Sequence, residues 1–265
     1  MNHRYPKVPV EALERFVKIV RRLRKECPWD RVQTHQSIRH SLIEEAYEVV
    51  ETLDQNNIGE LKNELGDLLL HVVMHATIAE QAKEFTFEDL IQSITDKLVR
   101  RHPHVFGTLN VRNAEQVKHN WEKLKMKEGR TSILDGVPRG MPSLQRATRM
   151  QERTGKVGFE WDNIDDVWKK VIEEADELRV AVKKKRKKQQ EEELGDYLFA
   201  LVNYARYLNI DPEAALRGTV RKFEWRFRYI EDQLRLRGKD PHNSTLKEMD
   251  ALWNKAKKIR KRSSP

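Results

Sequence analysis

One acidic skeleton occurs twice in this chain, and it limits the fold more than any other feature. Residues 43–67 read "IEEAYEVVETLDQNNIGELKNELGD", and residues 172–196 read "IEEADELRVAVKKKRKKQQEEELGD". Glu44, Glu45 and Glu48 correspond to Glu173, Glu174 and Glu177. After 15 intervening residues in each copy (49–63 and 178–192), Glu64 and Asp67 correspond to Glu193 and Asp196. The flanks repeat as well. Trp29-Asp30 and Trp161-Asp162 precede the acids; Lys97/Arg101 and Lys222/Arg226 follow at i, i+4; Trp121 and Trp253 come last. Self-similarity on this scale marks a chain built from two copies of one structural unit.

On a helix, residues three or four apart share a face. Glu174 and Glu177 therefore project together, as do Glu193 and Asp196, with Glu173 bordering the first pair. A gap of 15 residues is long enough to finish one helix, turn and return antiparallel, so the two pairs can face each other. Apolar residues recur at helical spacing through most of the chain, as in Leu13, Phe16, Val17, Val20 and Leu23. The patterning predicts helices at 10–25, 37–54, 58–82, 87–101 and 113–127. It predicts five more at 143–154, 164–186, 189–208, 212–235 and 245–260. No Val/Ile/Thr-rich run alternates with period two, so the expected class is all-α. The segment 128–143 holds three Gly and two Pro in 16 residues without helical periodicity, and it divides the chain into expected domains 1–130 and 131–265.

Carboxylates that converge across a helical hairpin repel one another, and they need either a cation or raised pKa values. An all-oxygen set without cysteine or a shared histidine suits Mg²⁺, or Mn²⁺, better than zinc or copper. Glu174, Glu177, Glu193 and Asp196 form the first candidate set, and Glu45, Glu48, Glu64 and Asp67 a possible second. His71 and His75 continue the stripe of Asp67, but the second copy has Ala200 and Tyr204 there. They read as structural histidines. Magnesium held by carboxylates takes up phosphate oxygens, which Lys222 and Arg226 could hold in turn, while the late tryptophans could stack a base. No GxxxxGK[ST] loop, GxSxG elbow or Cys/His dyad is present.

The single cysteine, Cys27, excludes an intrachain disulfide and a cysteine zinc site. The N-terminus lacks the apolar core of a signal peptide, and the stretch 68–79 is too short to span a bilayer and carries two histidines. The chain therefore reads as soluble and cytoplasmic, with no membrane partner. A net charge of +9 points to anionic partners. A rival to an enzyme is a helical binding module that engages nucleic acid or an acidic protein through the basic runs 183–188 and 257–262. That alternative gives the duplicated acids no role, so nucleic acid is not the expected partner.

Together, EExxE, a gap and ExxD, duplicated in a chain of this length, resemble the MazG nucleoside triphosphate pyrophosphohydrolases. "CPWDRVQTHQSI", "ELGDLLLHVVMHA", "KLVRRHPHVF", "VGFEWDN" and "KFEWRF" strengthen the resemblance, which runs from about residue 10 to 258. It implies two tandem helical domains that form four-helix bundles in a homodimer. It also implies Mg²⁺-dependent cleavage of NTPs and dNTPs to monophosphate and pyrophosphate, for house-cleaning or control of nucleotide pools.

The same resemblance implies roles for individual residues. Glu174, Glu177, Glu193 and Asp196 would hold magnesium, and Lys170, Lys222 and Arg226 the phosphates. Trp253 would lie near the nucleotide, and Glu173 would orient or deprotonate the attacking water. Relatives carry a phosphate-holding lysine just ahead of the second acidic pair. Gln189 and Gln190 stand closest here, so Lys187 or Lys188 would have to reach. Ser41 replaces Lys170 in the first copy, which is expected to be weaker, more selective or mainly structural.

Overall fold

The computed structural model describes residues 10–113, 116–117, 120–121 and 131–263. These residues form eleven α-helices and one short 3₁₀ turn, and no strand is found among them, as the patterning predicts. The chain divides into two compact units, Met1–Trp121 and Glu122–Pro265. Most of the helix expected at 113–127 lies outside the described residues.

In the first unit, α1 (Val10–Glu26), α2 (Pro28–Arg31), α3 (Arg39–Asp54), α4 (Ile58–Ala82), α5 (Phe87–Arg101) and α6 (Pro103–Phe106) follow one another. Helices α2 and α6 are additions to the sequence reading. In each, a proline opens the new helix directly after a break, where its missing N–H costs nothing. The core joins Val17 and Val20 of α1 to Val73 and Met74 of α4, with Ile38 closing it. Arg24, almost fully buried, ties the CPWD turn to α4. Its guanidinium donates to the carbonyls of Asp30 and Gln33 and to Gln81 Oε1. The Trp29-Asp30 turn thus sits at a fixed place beside the α3–α4 hairpin. Helix α5 starts with a capping box: Thr86 Oγ1 accepts from Asp89 N, and Asp89 accepts from Thr86 N.

The second unit contains α7 (Ser143–Gly155), α8 (Ile164–Lys183), α9 (Lys187–Tyr207), α10 (Pro212–Arg235) and α11 (Leu246–Ser263). Helix α8 ends at Lys183, three residues short of the expected end, because the basic run supplies the turn. Lys185 takes the left-handed conformation there (φ 54°), as Asn56 does in the first hairpin (φ 53°). A three-residue connection forces the two helices antiparallel. Val167, Val171 and Ala181 of α8 and Ala200 and Val202 of α9 are buried. Ile230, Leu234 and Leu252 join α10 to α11.

Helix α11 is held at its start by a reciprocal cap. Glu248 N donates to Thr245 Oγ1, Thr245 N donates to Glu248 Oε2, and Lys239 Nζ lies 2.6 Å from Glu248 Oε1. The lysine and then the Thr245 amide lower the Glu248 pKa to about 2. A carboxylate depressed on folding adds stability above its unfolded pKa and loses it as pH falls through its folded pKa. Glu248→Gln is therefore expected to lower the Tm at pH 7. Thermal melts across pH should show the gap to wild type closing between pH 4.5 and about 2.

Candidate active site

The α8–α9 hairpin brings its acids together as the spacing implies. One carboxylate oxygen from each of Glu174, Glu177 and Glu193 lies within 4.8 Å of the other two. The α3–α4 hairpin repeats the arrangement with Glu45, Glu48 and Glu64. Asp196 and Asp67 stand outside these triads but close by. Asp196 lines a cavity with Glu174, and the charge of Asp67 acts on both Glu45 and Glu64. The spatial repeat matches the sequence repeat.

Clustering leaves an electrostatic signature in both units. Burial first, then the charges of Glu174 and Glu193, push the Glu177 pKa up. Burial and neighbouring carboxylates also raise Glu45 and Glu64. A divalent cation among these oxygens would remove that repulsion, and an all-carboxylate donor set is the chemistry that magnesium, manganese or calcium accepts.

The units differ in what surrounds the acids. In the second, Lys170 Nζ lies 2.7 Å from Glu174 Oε1 and 2.9 Å from Glu173 Oε1. Hydrogen bonds that Lys170 donates to Glu173 and then to Glu174 raise the lysine pKa, so it is fully charged at neutral pH. Glu174 itself is only 7% exposed. Buried carboxylates are rarely tolerated without a partner, and here the partner is Lys170. Ser41 holds the equivalent position in the first unit and offers no charge.

The remaining expected residues fall in several places. Gln189, one turn before Glu193, donates to Glu193 Oε1 over 3.3 Å. Lys188 is exposed and lies 3.9 Å from Glu192, one step off the stripe of Glu193 and Asp196, and Lys187 pairs with Glu191 at 3.7 Å. Lys222 and Arg226 are half-buried on α10. The Arg226 guanidinium covers the ring of Trp253 at 5.1 Å, and Trp253 packs on Phe223. Among the described residues no ion pair joins Lys222 or Arg226 to the acids.

In the first unit His75 Nδ1 lies 2.7 Å from His35 Nδ1, with the rings stacked. Burial lowers the pKa of both His71 and His75. Of the basic run 257–262, only the side chains of Lys257, Lys258 and Ile259 lie within the described residues.

A cavity of about 570 Å³ opens beside the second triad, and sequence reasoning did not find it. Lys170, Glu174 and Asp196 belong to its lining. The strap between α7 and α8 supplies Phe159 and Trp161, and α7 and α9 supply Gln151 and Asn203. The strap is fastened to α9 twice: Arg206 Nη1 meets Glu160 Oε2 at 2.9 Å, and Tyr207 Oη donates to the Trp161 carbonyl. Gly158 turns the strap at φ +85°, a conformation that glycine alone adopts readily.

The model of the MazG nucleotide pyrophosphohydrolase domain matches this chain twice, at residues 33–106 and 163–230. A nucleoside triphosphate pyrophosphohydrolase/pyrophosphatase MazG from Thermotoga maritima is 42% identical over 249 residues, covering 92% of this chain and 95% of its own. A nucleoside triphosphate pyrophosphohydrolase from Escherichia coli K12 is 39% identical over 258 residues, covering 94% of this chain and 98% of its own. A solved mazG-related protein from Thermotoga maritima aligns over 43% of this chain and 98% of its own at 26% identity, with a TM-score of 0.39. Each match of the domain model spans one acidic triad, and with relatives aligned over nearly the whole length, the chain belongs to the MazG nucleotide pyrophosphohydrolase family.

Proposed function

We propose that this chain hydrolyses nucleoside triphosphates, ribo and deoxy, to the monophosphate and pyrophosphate. The second unit carries the reaction, with Mg²⁺, or Mn²⁺, as its cation. The observation that carries this reading is the triad of Glu174, Glu177 and Glu193 beside a charged lysine and a nucleoside-sized cavity. The names of the aligned relatives support it.

In the reaction, water attacks the α-phosphorus, the bond from that phosphorus to the α,β-bridging oxygen breaks, and pyrophosphate leaves. Glu174, Glu177, Glu193 and Asp196 would hold the cation, which when bound neutralises phosphate charge. Lys170, paired with Glu173 and Glu174, orients Glu174 and would offer its remaining N–H to the phosphates. Glu173, 2.9 Å from Lys170, orients the water and accepts its proton. Lys222 and Arg226 hold the outer phosphates, with Trp253 near the nucleotide. Gln189 steadies Glu193, and Lys188, one position off that stripe, would have to reach the phosphates.

The first unit, without a lysine at Ser41, would be weaker or mainly structural. We place the enzyme in the cytoplasm as a homodimer; no described helix is long and apolar enough to cross a membrane. The binding-module reading leaves both acidic triads without a role.

Incubation with each NTP and dNTP, with and without Mg²⁺, tests the reaction when products are resolved by ion exchange. Monophosphate and pyrophosphate are expected, and chelation should abolish both. Diphosphate and phosphate would place the cleavage at the wrong bond and overturn the assignment.

A further inference from the structure

Two imidazole nitrogens in the first unit are buried without a hydrogen-bond partner: Nδ1 of His71 and Nε2 of His75. Native structures rarely leave such atoms alone, and a bound ion or water is the usual explanation. Both residues belong to α4, at i and i+4, so their side chains lie one turn apart on one face. Their ring centres are 6.3 Å apart, with the planes tilted by 35°. With Zn–N bonds of about 2.0–2.1 Å, two imidazoles on one tetrahedral ion have ring centres about 5 Å apart, so a shift of about 1 Å closes the gap.

The other ring nitrogen of His75 is already engaged. His75 Nδ1 lies 2.7 Å from Nδ1 of His35, which stands in the turn before α3, and the two ring planes are parallel. Neutral rings placed in this way share a single proton between those nitrogens. When His75 supplies it, His75 Nε2 keeps a bare lone pair, the form that binds a metal. Metal-bound histidines almost always donate their other N–H to a neighbour, which fixes the tautomer and the ring orientation. Burial lowers the pKa of both His71 and His75 and so favours the neutral rings that a metal needs.

We propose that His71 Nδ1 and His75 Nε2 hold a Zn²⁺ ion, with waters completing its shell and His35 positioning His75. Imidazole nitrogen suits zinc, whereas the carboxylates of the same hairpin suit magnesium, so the two sites select different ions. The zinc site involves no nucleotide and is independent of the hydrolysis reading. It is also confined to the first unit. The second has Ala200 and Tyr204 at these places, and Tyr204 packs on Trp168 with ring centres 4.8 Å apart. That aromatic pair offers no imidazole to a metal.

The test is equilibrium dialysis with Zn²⁺ as the only added ligand, in saturating Mg²⁺ that fills the carboxylate sites. It uses the full chain as wild type, His71→Ala, His75→Tyr and His35→Gln. The first two substitutions install the residues that the second unit carries. Wild type is expected to bind a Zn²⁺ ion that His71→Ala and His75→Tyr both fail to bind. His35→Gln removes only the ring that orients His75 and should weaken binding by about 10–100-fold. Nitrogen NMR of the wild-type histidine rings should show His71 Nδ1 and His75 Nε2 shifting on addition of Zn²⁺, and neither on addition of Mg²⁺.

Zn²⁺ bound equally by wild type and both ligand variants would overturn the site. Binding that leaves the two ring nitrogens unmoved would do the same, since the ion would then sit on carboxylates. Failure of wild type to bind Zn²⁺ would also overturn it and leave a buried water between the rings. If a variant does not fold, the ring-nitrogen shifts of wild type decide alone.

Discussion

Glu193→Gln is expected to lower nucleoside triphosphate hydrolysis by about 10²-fold or more, while Glu64→Gln lowers it by less than about threefold. The two residues hold the same place in the repeat, each in a triad with oxygens within 4.8 Å of one another. The substitution is nearly isosteric and keeps an acceptor for Gln189, so it removes charge rather than packing. The difference between the copies lies in their surroundings. Lys170 bridges Glu173 and Glu174 in the second unit, and the cavity opens beside them. The first unit has Ser41 and a stacked pair of histidines in the corresponding region. Steady-state assays of both variants, with Mn²⁺ stoichiometry measured in parallel, decide the matter. Equal losses of activity would sink the asymmetry between the units.

The acidic skeleton was legible because helical geometry converts spacing into proximity. Glu174 and Glu177 share a face at i, i+3, and a short turn must return α9 along α8. Those two facts bring Glu193 to them without any long-range information. Lys170 came from the family resemblance rather than from spacing, and its place one turn ahead of Glu174 puts it against that carboxylate. The phase of α9 also decides the residue nearest Glu193: since 189, 193 and 196 lie on one stripe, Gln189 stands there and Lys188 faces Glu192.

The cavity followed no such rule. Its walls come from α7, an irregular strap and α9, joined by contacts such as Arg206 to Glu160 and Tyr207 to Trp161, 46 residues apart. The strap has no periodicity to read, and two of the α9 residues that line the cavity, Ala200 and Asn203, are positions where the two copies differ. A search for repetition passes over them. The short helices at Pro28 and Pro103 escaped for a simpler reason: four residues are too few to show a period.

Ile91→Asp and Leu216→Asp are each expected to weaken self-association by about 10²-fold or more, measured by sedimentation over a range of concentrations. The two residues occupy equivalent places, on α5 and α10. Helix α5 buries none of its residues, yet Ile91, Ile94 and Leu98 form an apolar stripe at i, i+3, i+7. On α10, Leu216, Val220 and Phe223 are each more than half exposed. On α9 a further pair, Leu194 and Leu198, points outward. An amphipathic helix keeps such a stripe when something covers it.

The glycines of the two ELGD segments agree with that. An added Cβ at Gly66 or Gly195 meets nothing within 4 Å, although glycine inside a helix costs about 1 kcal/mol relative to alanine. Packing within the chain gives no reason for them, whereas a helix of a second copy pressed close would. Burying one leucine or isoleucine contributes about 1.5–3 kcal/mol, and a carboxylate in its place adds a desolvation cost. The predicted weakening therefore corresponds to about 3 kcal/mol or more. A wild-type protein that sediments as a monomer at micromolar concentration would refute the homodimer. Variants that associate as tightly as wild type would move the interface away from α5 and α10.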